Sequence, residues 1–153
     1  MMTTNDVLRR LRFILDYSDS QMINIFSLSE KTVSRAEVSA WMKQEEDDDF
    51  KVLEDRDLAI FLNGLIIEKR GLRDGKAPEP EKYLNNNDVL KKLKIAFQLK
   101  TDDIIEIYKS AGKKLSPHEL SAFLRKPTQP QYRELMDQYL RNFLSGLQVK
   151  KKS

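Results

Sequence analysis

The chain has 153 residues, 40% hydrophobic and 33% charged, with no cysteine and 27 Lys+Arg against 24 Asp+Glu, a net charge of +3. This is a globular balance, enough for one ordinary domain or two small ones, and it excludes disulfide and thiol chemistry. No run of about 18 apolar residues suggests a membrane span, and the Met1-Met2-Thr3-Thr4-Asn5-Asp6 start lacks a basic region followed by an apolar stretch, so neither a membrane partner nor a secretory signal is expected.

In chain order, the spacing predicts a first helix over 5–16. Val7, Leu8, Leu11, Ile14 and Leu15 recur at helical intervals and make one apolar stripe. Asn5 is the expected N-cap, with Asp6 in the first turn where the helix dipole favours an acid. A second helix begins near Ser18-Asp19 and carries Met22, Ile23, Ile25 and Phe26. The third has the clearest start, because Ser34-x-x-Glu37 is a capping box in which the two side chains satisfy each other's backbone N–H groups. Next comes the acidic run Glu45-Glu46-Asp47-Asp48-Asp49, read as a solvated loop that also supplies the N-cap of a fourth helix. That helix is the longest. Its stripe is Leu53, Leu58, Phe61, Leu62, Leu65 and Ile66, and Lys69-Arg70-Gly71 closes it. The stretch 72–83 holds a glycine, two prolines and mixed charges and reads as a linker.

After the linker the pattern starts again, 82 positions on. Asn5-Asp6-Val7-Leu8-Arg9-Arg10-Leu11 returns as Asn87-Asp88-Val89-Leu90-Lys91-Lys92-Leu93, so a first helix is expected over 87–99 with Asn87 as its cap. Ile104, Ile105, Ile107 and Tyr108 match the second-helix block, in a helix starting at Thr101. Ser116-x-x-Glu119 repeats the capping box, with Pro117 at the first helical position. Leu135, Leu140, Phe143, Leu144 and Leu147 repeat the fourth stripe, and the tail 150–153 is expected to fray. Roughly a third of the aligned positions are identical without a gap, which marks a tandem duplication. The expected fold is all-α: a tandem duplication of a four-helix module packed with pseudo-twofold symmetry, with a first repeat over 1–71, a linker over 72–83 and a second repeat over 84–153. Gly64 and Gly146 sit at equivalent points inside the fourth helices, where glycine costs about 1 kcal/mol against alanine. Their retention predicts a close backbone approach there.

The opening Asn5-Asp6-x-Leu8-Arg9-Arg10-Leu11-Arg12, the Met22-Ile23-x-Ile25-Phe26 block, and Phe61-Leu62-Asn63-Gly64-Leu65-Ile66 ending at Arg70-Gly71 together resemble the YehS-like family. These are bacterial proteins of about this length with two copies of a domain of unknown function, and the resemblance covers nearly the whole chain. It implies a cytoplasmic bacterial helical protein, and it carries over no activity, cofactor or active-site residue.

The residues themselves point away from catalysis. His118 is the single histidine, it falls inside a capping box, and its counterpart is Ala36. One histidine and no cysteine leave the usual nucleophile–base pairs unbuilt. Neither phosphate-cradling glycine pattern occurs, and no cofactor is expected. Asp55 and Asp137 are equivalent, each placed early in a fourth helix where the dipole alone explains an acid. The acidic run lacks the alternating ligands and turn glycine of a calcium loop, so no metal site is expected. Trp41 and Phe123 are equivalent and read as core. Lys31/Lys113 and Ser39/Ser121 are identical across the copies without a capping role.

Charge is the strongest functional signal. Residues 1–71 hold 10 Lys+Arg against 14 Asp+Glu, whereas residues 84–153 hold 14 against 7. Two functions follow from these opposite fields. The first is a non-enzymatic interaction protein, binding an unidentified protein or associating with itself through its acidic and basic halves. The alternative is a nucleic-acid-binding protein that uses Lys91, Lys92, Lys94, Lys113, Lys114, Arg125 and Lys126 with helix-turn-helix-like elements. Lysines clustered on one face beside the third helix favour nucleic acid, and scattered ones favour the first reading.

Overall fold

A computed structural model describes residues 1–152 of the chain. Among these it shows eight helices: α1 (Thr4–Leu15), α2 (Asp19–Leu28), α3 (Arg35–Met42), α4 (Asp55–Lys69), α5 (Asn86–Ala96), α6 (Thr101–Ser110), α7 (Pro117–Leu124) and α8 (Asp137–Lys152). The fold is all-α. The chain forms two compact units, Met1–Leu84 and a second beginning at Asn85, each with one four-helix set. The stretch expected to fray is helical through Lys152, and Ser153 lies outside the described residues.

Within each unit the second helix packs along the fourth, and the third packs on the second and first. Gly64 and Gly146 explain how the main pair approaches so closely. A Cβ on Gly64 would fall on the Ile25 carbonyl oxygen of α2, and one on Gly146 would fall on the Ile107 carbonyl oxygen of α6. The close approach predicted from the sequence is therefore made inside each module.

The core is repeated with substitutions. In the first unit Phe26 meets Trp41 at 5.3 Å and Phe61 at 5.2 Å between ring centroids, all three buried. In the second, Tyr108 meets Phe143 at 5.8 Å, and Tyr139 contacts both Tyr108 and Phe123. Phe123 is smaller than its counterpart Trp41, and the ring of Tyr139, where the first copy has Asp57, packs against it instead.

Both capping boxes at the third helices form, with Glu37 N to Ser34 Oγ at 3.1 Å and Glu119 N to Ser116 Oγ at 3.1 Å. The first helices depart from the expectation. Their N-caps are Thr3 and Asn85, which accept from Asp6 N and Asp88 N, while Asp6 and Asp88 accept in return from Thr3 N and Asn85 N. Asn5 and Asn87 are not caps; they lie inside the first turn and are buried. α5 also stops at Ala96, short of the expected 99, because Gln98 is left-handed (φ 53), as is its counterpart Asp16 (φ 55). The acidic run does not cap α4 either: Glu54 takes that position, without a side-chain bond.

The Pro/Gly stretch is held against α4 of the first unit. Asn63 Nδ2 donates to Pro78 O at 3.3 Å, Arg56 Nη1 donates to Pro80 O at 3.4 Å, and Asp55 Oδ2 accepts from Leu84 N at 2.9 Å. Asp55 thus ties down the chain as well as complementing the helix dipole.

Candidate interaction surface

The polar residues shared by the two copies build the scaffold. Asn5 Nδ2 donates to Trp41 O at 3.0 Å and Lys51 O at 2.9 Å, and its Oδ1 accepts from Leu53 N at 3.0 Å. Asn87 repeats all three, with Phe123 O at 2.9 Å, Arg133 O at 2.9 Å and Leu135 N at 2.9 Å. Each amide pins the end of the third helix and the loop after it to the first helix. Sequence reading missed this role. Its signal was available: Thr3-x-x-Asp6 and Asn85-x-x-Asp88 already supply a cap and its partner, leaving Asn5 and Asn87 to do something else.

Several of the lysines proposed for nucleic acid are engaged within their own unit. Lys91 Nζ donates to Arg125 O at 3.0 Å, closing the C-terminus of α7, as Arg9 Nη1 closes α3 by donating to Lys43 O at 2.6 Å. Lys92 is buried, 9% exposed. Lys113 lies with Nζ 4.7 Å from the centroid of Tyr139. Its counterpart Lys31 instead pairs with Asp57 at 3.2 Å, so the same lysine meets the same position through two kinds of attraction. Lys94 and Arg125 are half-buried, and Lys114 and Lys126 are exposed. Lys91, Arg125 and Lys126 thus meet at the C-terminal end of α7, and Lys113 and Lys114 lie just before its Ser116 N-cap. The exposed face of α7 carries Pro117, His118 and Ser121, and the helix contains no lysine or arginine. His118 is exposed, Trp41 and Phe123 are core, and Ser39 and Ser121 are exposed on their helices with no structural account.

The acidic run 45–49 is exposed throughout. Asp47 accepts from Gln44 N at 2.9 Å, and Asp49 lies 3.5 Å from Lys43 Nζ. Among the described residues, no group of three or more His, Cys, Asp or Glu is placed to hold a metal ion. No described helix is long and apolar enough to cross a membrane.

Two hollows open on the second unit. One, of about 360 Å³, lies along α7 between Ser121, Leu124, Arg125 and Thr101. The other, of about 490 Å³, lies at the end of α6, with Ile105 and Leu115 as apolar walls and Lys109, Lys113 and Lys114 among its lining.

Comparison with known proteins matches the chain twice to one family, described as Protein of unknown function (DUF1456), over residues 4–71 and 86–153. The chain is also 43% identical over 148 residues to "Uncharacterized protein YehS" of Escherichia coli (strain K12), covering 95% of this chain and 94% of that protein. No solved structure matches. The chain belongs to this family, and the two matched stretches are the duplicated modules.

Proposed function

We propose that this member of the DUF1456 family is a cytoplasmic, non-catalytic helical interaction protein that associates with itself through its acidic and basic halves. The reading is carried by one observation: the shared polar residues hold the fold, while many exposed positions that differ between copies differ in charge. Asn5/Asn87, Arg9/Lys91 and the Ser–Glu capping boxes are all occupied with backbone groups of their own module. The acidic run 45–49 is replaced in the second copy by Pro127-Thr128-Gln129-Pro130-Gln131, and Ser27 and Thr32 are replaced by Lys109 and Lys114. Surfaces of opposite sign on one chain favour encounter between copies and are weakened by salt.

Light scattering at low ionic strength tests this. The expected result is a mass above that of the monomer that falls as salt is added; a monomer at every concentration would end the reading. Engagement of Lys91 with the end of α7, the burial of Lys92, and the uncharged exposed face of α7 weigh against the nucleic-acid alternative. Titration with fluorescent duplex DNA and RNA at two salt concentrations is expected to show no salt-sensitive binding.

A further inference from the structure

The groove at the end of α6 has a built-in control, because the first unit carries the same positions. Ile105 and Leu115 correspond to Ile23 and Val33, so the apolar walls are common to both copies. The charge is not. Lys109 stands where the first copy has Ser27, and Lys114 where it has Thr32; Glu106, in place of Asn24, is an acid on the same wall. Gly112 (φ 75) takes the left-handed position held by Glu30 (φ 66), and open space surrounds the place its Cβ would occupy. The second copy thus removes a carboxylate from the turn beside the groove.

Lys113 completes the contrast. In the first unit the carboxylate of Asp57 answers the charge of Lys31. In the second, the Tyr139 ring holds the ammonium group without cancelling its charge. The result is a groove of about 490 Å³ with apolar walls and three ammonium groups, large enough for a few side chains. Apolar walls beside such charges suit an acidic peptide carrying an apolar residue better than a phosphate backbone.

This chain contains such a segment. The run Glu45-Glu46-Asp47-Asp48-Asp49 is exposed, is followed by the half-buried Phe50, and is the region where the second copy has no acid at all. The differences are reciprocal: one copy carries acids on a loop, and the other carries lysines around a groove. We propose that the acidic loop 45–50 of one chain docks into the Lys109–Lys113–Lys114 groove of a second copy. The smallest assembly of copies in which every such loop and groove is occupied is a dimer. The assignment rests on the self-association reading above and names its contact.

A charge swap tests it by sedimentation velocity at low ionic strength. K109E/K114E reverses the groove and E45K/E46K/D48K reverses the loop, all at exposed positions. Each variant alone pairs like charge with like, so its dimer dissociation constant is expected to rise by more than about tenfold. Mixed in equal amounts, the two variants present complementary surfaces again and should recover the dimer. Recovery also shows that both variants are folded. Either variant associating as tightly as the parent, or a mixture that stays monomeric, overturns the groove assignment while leaving association through another face standing. A parent that is monomeric at every concentration overturns both.

Discussion

Asn5 and Asn87 each bring two backbone carbonyls and one backbone N–H to a single buried amide. Removing the amide leaves those groups without that partner in a site closed to water, and each unsatisfied buried group costs about 1–3 kcal/mol. Asn5→Ala and Asn87→Ala are therefore each expected to lose about 3 kcal/mol in urea denaturation. Asn5→Asp should be worse, because it buries a carboxylate charge against the Trp41 and Lys51 carbonyl oxygens. Tyr108 is the opposite case. Its hydroxyl is buried with no hydrogen-bond partner, and burial pushes its pKa up, with Tyr139 adding to the rise. The first copy fills this position with Phe26. Tyr108→Phe should leave stability unchanged or raise it by up to about 1 kcal/mol, and a clear loss of stability would show that the hydroxyl has a partner after all.

At the scale of the element, the third helices depend on their capping boxes, and these titrate. The backbone N–H of Ser34 hydrogen-bonds the Glu37 carboxylate and lowers its pKa below the ordinary 4.5; Ser116 does the same for Glu119. A lowered folded-state pKa means the contribution is complete above the ordinary value and is lost as pH falls through the lowered one. Stability should therefore fall on acidification below about pH 4.5. In an E37Q/E119Q variant, which retains an acceptor but no titrating group, that fall should be shallower; equal acid sensitivity by thermal melting would discount the boxes. These boxes were readable from the sequence because Ser-x-x-Glu is a local pattern with a local partner. The role of Asn5 was not, because its partners lie 36 to 48 residues away and only the fold brings them together. Lys113 was obscured in the same way: its role depends on Tyr139, a substitution 26 positions on that also fills the space beside Phe123.

On the scale of the whole molecule, the duplication made the architecture readable. The 82-residue offset predicted the eight helices, their order and the glycine crossings, and the two family matches fall on the same two stretches. The stretch after α4 was harder to read. Its glycine and prolines suggest a linker, but the bonds from Asp55, Arg56 and Asn63 that hold it to the first unit come from polar side chains of α4 whose partners lie 15 to 29 residues away. The proposed interaction surface was half visible. Composition gave the opposite fields of the two halves, but Lys91 and Lys92 could be separated from Lys109 and Lys114 only by seeing that the fold bonds the first and buries the second.

At positions 64 and 146 the obstruction is a peptide oxygen, and an oxygen of the main chain has no codon. No second-site mutation in α2 or α6 can shrink it. Charges and rings have been exchanged freely since the two halves of the gene diverged, but neither half can abandon its glycine without parting the helices. That pair of residues is held by an obstacle that no exchange of side chains elsewhere can remove.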